Sequence, residues 1–275
     1  MVTLDGMEEI VLMEHIDIKP IGYVRSDCDD PHNVCSYGEK MVIEILPEYV
    51  EGLLKIEEHS HYWILSWFHK APRNILRAVP RRINPDLPER GVFSLRTFLR
   101  PNPIGLTLVK LLKAEGDKLY VEGLDAIDGT PVLDIKPYFE KDIIFSPTTP
   151  YFKATNPDTT RLSFLHEAIN HHQEDCDDLY LAVRMAEIAE EKLGKLSDPN
   201  ILVKVIGSPC LADAIQGITR ARFANPTRFV FEPSDSCNIS IWSMDGKSIS
   251  IEQIRPFDKD EFEKIKDEKL FKVKY

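Results

Sequence analysis

The sequence predicts an N-terminal all-β antiparallel barrel followed by a C-terminal α+β domain. Three observations predict it. Short alternating apolar–polar runs with turn residues between them fill the first half. Long runs of helical apolar spacing appear after about residue 160. A Pro/Thr-rich stretch of low periodicity, SPTTPYFKATNPDTT, lies between the two regimes. The division expected is a tail or short helix over 1–15, a barrel domain over 16–150, a linker over 151–160, and an α+β domain over 161–275.

The elements follow in order. KPIGYVRS and KMVIEIL alternate as half-buried strands do, and PEYVEGLLKIEEHSH reads as a short helix opened by Pro47. HYWILSWFH is an aromatic strand, and a Pro/Arg-rich loop runs from Ala71 to Arg90. GVFSLRTF, LTLVKLLKAEGDKLYVEGLDAID and PVLDIKPYF supply more strands, with turns at Glu115-Gly116 and Asp128-Gly129. In the second half, RLSFLHEAINHH, DLYLAVRMAEIAEEKLG and LADAIQGITRA read as helices. ILVKVIG, RFVFEP, CNISIWSM and KSISIEQI read as strands, with Asp245-Gly246 a hairpin turn, and DKDEFEKIKDEKL is expected as a polar helix ending the chain.

Bulk properties narrow the function. No apolar run approaches the length of a membrane span, and the acidic N-terminus does not resemble a signal peptide, so a cytoplasmic protein is expected. Five cysteines without a CxxC pair argue for reduced thiols rather than a disulfide framework. The net charge of -11 opposes nucleic-acid binding at first sight. Its distribution reverses that inference locally: between Lys70 and Arg100 stand eight Lys and Arg residues against Asp86 and Glu89, a net +6.

Three segments carry chemistry in the first half. Arg96 to Gly105, RTFLRPNPIG, holds two prolines that fix φ around Asn102 and a glycine that permits close backbone approach, so it presents Arg96 and Arg100 from a rigid frame. Leu124 to Tyr138 places Asp125, Asp128 and Asp134 among apolar residues. Asp134 in particular needs a partner, for which Arg96 and Lys136 are available. His59 to His69, HSHYWILSWFH, is mainly core aromatic, with His69 at its end the best placed for a site.

Together with Ile21 to Ser26 (IGYVRS), these segments resemble the TrmO family of tRNA adenine-37 N6-methyltransferases: SHYW…FH over 60–69, VFSLRTFLRPNPIG over 92–105, and DAIDGTPVLDIKPY over 125–138. The resemblance implies a small β-barrel that binds S-adenosylmethionine, usually as a homodimer with the cofactor near the subunit interface. Carried onto matching residues, the cofactor positions are Pro31, His32, Asn33, His69, Lys70, Arg96, Leu106, Asp125, Ala126, Ile127 and Asp128. Pro31-His32-Asn33 departs from the family's proline-arginine-glutamine. GxGxxG is absent, which agrees with a non-Rossmann cofactor site. The family's acceptor is a weakly nucleophilic urea-like nitrogen, so a base is needed. Asp125, Asp134 and His69 are the candidates, with Arg96 or Arg100 holding the substrate's carboxylate.

In the second half, His171-His172-Gln173-Glu174-Asp175-Cys176 before a helix and Cys210 before DAIQ resemble the FmdE-like domain associated with formylmethanofuran dehydrogenase. That resemblance implies a divalent-metal site of His172, Glu174, Cys176 and Cys210, for which mixed N, S and O donors favour Zn2+. His166 and Cys237 are spare donors. The partner expected is tRNA. Two other readings stay open: methylation of a small molecule or metal-bound thiol presented by the second domain, and a non-catalytic sensor.

Overall fold

A computed structural model describes residues 17–31, 33, 34 and 38–275. The expected tail or short helix over 1–15 and the candidate His32 lie outside the described residues. The described residues divide into two compact units, one of those up to 78 with 90–142, the other of 79–89 and 143–275.

The first unit is a closed six-strand barrel in the order β1-β2-β7-β6-β3-β8. Its strands are β1 (Gly22–Arg25), β2 (Glu39–Ile45), β3 (His61–Trp67), β6 (Ile104–Glu115), β7 (Lys118–Leu124) and β8 (Pro131–Pro137), all antiparallel to their neighbours. A small ribbon of β4 (Arg77–Ala78) and β5 (Arg90–Gly91) grows from the β3–β6 connection. Period-2 alternation sends Val24, Ile43, Tyr62, Ile64, Val109, Leu119 and Val121 inward to one core. The opposite parity puts Trp63, Leu65, Leu106 and Leu108 on the outer wall, where Leu106 is 52% exposed.

Antiparallel order has a consequence for the site. The β1–β2, β3–β6 and β7–β8 connections all leave from the same end of the barrel. The other end carries the Glu115–Lys118 hairpin, with Gly116 at φ +61°, and the short helix expected from Pro47, which takes 3-10 form as two pieces over Pro47–Leu53 and Ile56–Glu58.

Two expectations are corrected. GVFSLRTF is not a strand: after β5 the chain makes a 3-10 turn over Val92–Ser94. The guanidinium of Arg100 draws the Val92, Leu95 and Thr97 carbonyls toward itself, which leaves them unavailable to a strand partner. The C-terminal polar helix is instead a 3-10 turn (Lys259–Glu261), a four-residue helix and a last strand. Phe271 is buried and pairs at the sheet edge, so packing overrides helix propensity there.

The second unit packs α1 (Pro157–His172), α2 (Asp177–Leu193) and α3 (Pro209–Thr219) with a five-strand sheet. That sheet, ordered β10-β9-β11-β12-β13, comprises β9 (Leu202–Gly207), β10 (Phe229–Pro233), β11 (Ile239–Met244), β12 (Lys247–Gln253) and β13 (Phe271–Lys274). α4 is Asp267–Leu270. β9 and β10 are parallel with α3 as their crossover, and the β11–β12 hairpin turns at Asp245-Gly246, both at positive φ. The Pro/Thr-rich stretch packs on this unit. Ser146 donates to the Arg220 carbonyl, Tyr151 to Glu190, and Lys195 to the Thr149 carbonyl.

Candidate cofactor mouth and metal cluster

The described residues assigned to cofactor binding lie on the connections at one barrel end, except Leu106, which stands in β6 on the outer wall. The strand pairing continues past β3 through the amide of Phe68, which donates to the Pro103 carbonyl at 2.8 Å. A turn closed by Ala71 N on Phe68 O then exposes His69 and Lys70. Lys70 Nζ reaches back to the Asp29 carbonyl at 2.9 Å and so joins the early loop to this turn. Across the mouth, Thr107 donates its hydroxyl to the Asp125 carboxylate, tying β6 to the 125–130 turn.

That turn is fixed from three sides. Asp128 accepts the Ser26 amide at 3.1 Å, its own amide bonds the Cys28 carbonyl at 2.7 Å, and Gly129, at φ +71°, donates to the Val24 carbonyl at 2.9 Å. Ala126 and Ile127 are buried and offer the site backbone atoms only. Gly105 is needed for close approach: a Cβ there would lie 2.4 Å from Ser66 Oγ and 2.7 Å from a Phe68 ring carbon. Arg96 is exposed on the rigid segment.

The remaining first-half candidates separate from this group. Asp134 sits in mid-strand on the outer wall opposite Leu65, bridged to Lys136 Nζ at 2.8 Å, which settles its partner as Lys136 rather than Arg96. Arg100 gives Nε to Thr97 O at 2.8 Å and Nη2 to Val92 O and Leu95 O at 3.0 and 2.5 Å. Most of its donors therefore serve its own loop. The stretch 79–89, which carries Arg81, Arg82, Asp86 and Glu89, groups with the second unit. The flanking parts of the basic segment keep six cations and no acid.

In the second unit, His172, Cys176 and Cys210 bring their ligand atoms within 4.8 Å of one another. His172 ends α1, Cys176 caps α2, and Cys210 follows Pro209 in the first turn of α3, whose cap Ser208 accepts the Leu211 amide. The Asp213 carboxylate holds His172 Nδ1 at 2.8 Å and approaches His171 Nε2 at 3.3 Å. Holding the proton on Nδ1 leaves the Nε2 lone pair to face Cys176 Sγ at 3.4 Å. A tetrahedral zinc with ordinary Zn–N and Zn–S bonds needs an edge of about 3.5 Å, so these donors fit it. Burial, then Cys176, Asp178 and Glu174, push the Cys210 thiol up, a surplus of negative character that a cation relieves. Glu174 is exposed and is not among the gathered donors. Asp213, which sequence reasoning missed, was legible only as the fourth residue of CLAD, one helical turn beyond Cys210. Ser208 Oγ also bonds Asp178 at 2.5 Å, linking the two helix starts.

Residues 26–142 match the model of the tRNA-methyltransferase O N-terminal domain. Residues 171–269 match the family described as FmdE, molybdenum formylmethanofuran dehydrogenase operon. A probable S-adenosyl-L-methionine-binding protein of Archaeoglobus fulgidus is 38% identical over 221 residues, which are 76% of this chain and 60% of that protein. A second probable S-adenosyl-L-methionine-binding protein, from Methanothermobacter thermautotrophicus, is 48% identical over 129 residues, 46% of this chain and 91% of that protein. The mouse tRNA (adenine(37)-N6)-methyltransferase is 44% identical over 131 residues, 44% of this chain and 30% of its own length. The chain thus spans less than two thirds of the first and third of these relatives. By its barrel, its motif-bearing mouth and these likenesses, the chain belongs to the TrmO family.

Proposed function

We propose that the barrel binds S-adenosylmethionine at the mouth and transfers its methyl group to N6 of threonylcarbamoyladenosine at position 37 of tRNA. The observation that carries this reading is the convergence of the early loop, His69-Lys70, Thr107 and the 125–130 turn at one barrel end, in a chain related to a tRNA (adenine(37)-N6)-methyltransferase. Positioning supplies most of the acceleration in such a transfer. Asp125 and His69 are the groups at the mouth able to take the nitrogen's proton, and Arg96 is the exposed cation on the adjoining rigid segment. Asp134, bridged to Lys136 on the outer wall, is the weakest of the three base candidates.

The apolar outer wall of Leu65, Leu106 and Leu108 suits a second copy, so a homodimer is part of the reading. A tRNA substrate goes with a cytoplasmic location. No helix of the described residues is long and apolar enough to cross a membrane. For the division of the chain we propose that the barrel domain ends near residue 142 rather than 150, and that the α+β domain takes in the stretch from 143 onward together with residues 79–89. In the second unit, His172, Cys176 and Cys210 would hold Zn2+, supplying a Lewis-acidic or structural centre.

Tritiated methyl transfer to tRNA with and without the threonylcarbamoyl group tests the main reading. Label confined to the modified tRNA is expected, and label in neither tRNA removes it. The cysteine cluster favours a second reading, methylation of a small molecule or metal-bound thiol. Label entering a small-molecule extract instead of tRNA would establish that reading.

A further inference from the structure

Phe93 is an anomaly that the fold does not explain. It follows Val92, which is buried, yet is itself 83% exposed. It is not at the tip of a loose loop. The Val92 amide bonds the Leu76 carbonyl at 3.0 Å, the Val92 carbonyl accepts from Arg100 Nη2 and the Leu95 amide, and Ser94 Oγ bonds the Gly91 carbonyl at 2.8 Å. The backbone on both sides of the ring is therefore held, and the ring is presented rather than dangling. Leu76, opposite Val92 at the end of the β4–β5 ribbon, is 63% exposed.

The surroundings are cationic. Arg73, Arg77 and Arg96 are exposed within a few residues, and Arg73 lies over the Trp67 ring at 5.0 Å from its centroid. The flanks of this surface, 70–78 and 90–100, contain no acid. An exposed aromatic face set among arginines is the combination that grips single-stranded nucleic acid, with stacking for the base and cations for the phosphates. A second copy of the chain is a poorer occupant, because an isologous contact would face these arginines with themselves, whereas the leucine wall carries no such penalty.

We propose that Phe93 is a base-stacking residue and that the ribbon carrying it is the surface that seats an unpaired RNA loop beside the cofactor mouth. This rests on the tRNA reading above. Arg100 then acts as a positioning residue, holding the turn that presents the ring.

The test uses the full chain, a tRNA transcript threonylcarbamoylated at adenosine 37, and F93A, F93L and F93W variants. F93A should weaken transcript binding about 10- to 100-fold and F93L nearly as much. F93W should bind about as well as the parent protein. Calorimetry with S-adenosylhomocysteine should give the same affinity in all four proteins, which reports an intact fold at the mouth, and light scattering should give the same mass. Transcript affinity within twofold of the parent in F93A overturns the proposal while leaving the tRNA reading intact. A fall in mass for F93A overturns it in favour of a chain–chain contact. No transcript binding by the parent protein at low salt removes the tRNA reading and this proposal together.

Discussion

Arg100 offers the sharpest discrimination between a residue that touches substrate and one that builds the site. Its guanidinium makes three bonds to carbonyls of residues 92–97. A bond from a charged donor contributes about 1.5–3 kcal/mol net when buried. Arg100 is only half-buried, so water recovers part of that on removal, and about 2–4 kcal/mol in total is a reasonable figure for Arg100→Gln. This loss falls on a local segment, so local opening is the quantity to measure. At about 1.4 kcal/mol per tenfold, amide exchange in a peptide covering 91–100 should quicken by roughly 30- to 700-fold, with peptides from β7 unchanged. The assay is hydrogen exchange read by mass spectrometry on the full chain. Unchanged exchange in that peptide, with methyl transfer lost, would refute the loop-holding role and return Arg100 to the substrate.

Other consequences follow from single contacts. Asp213→Asn removes the carboxylate that sets the His172 tautomer, and zinc affinity by chelator competition should fall about 10- to 100-fold. Gly105→Ala drives a methyl group into Ser66 and Phe68, and chemical denaturation of the barrel should show a loss of about 1–3 kcal/mol. Burial pushes Glu167 up to about 7, against about 4.5 when unfolded. The folded chain therefore holds that proton longer, and the stability of the second unit should decline from about pH 4.5 to pH 7 and then level off. Glu167→Gln should flatten that decline in urea titrations at about pH 5 and pH 7.5.

The sequence was most informative where period and turn chemistry act locally. Alternation in KMVIEI and HYWILSW, and the Glu115-Gly116 and Asp245-Gly246 turns, carried the strands and hairpins directly. It misled where a long-range contact decides the local form. GVFSLRTF alternates like a strand, yet a guanidinium eight residues on holds its carbonyls. DKDEFEKIKDEKL has helix-forming composition, yet its exit into the sheet edge at Phe271 and the bonds of Arg184 to the Phe262 and Ile265 carbonyls fix it otherwise. At the proposed cofactor mouth, the motif words named segments that the fold gathers at one barrel end, but not the stitching between them: Lys70 on the Asp29 carbonyl and Thr107 on Asp125 join residues 41 and 18 positions apart. The cysteine cluster was legible in three of its members. Glu174 stands two residues from Cys176 in sequence but lies outside the gathered donors.

Titration calorimetry of the full chain with S-adenosylmethionine, repeated on Asp125→Ala, tests most directly whether the barrel mouth is a site for an adenosyl sulfonium. The expected result is saturable binding of one ligand per chain, weakened at least about tenfold by the substitution, which unties the 125–130 turn from Thr107. Folded protein that gives no heat, or a variant that binds as well as the parent, would contradict it.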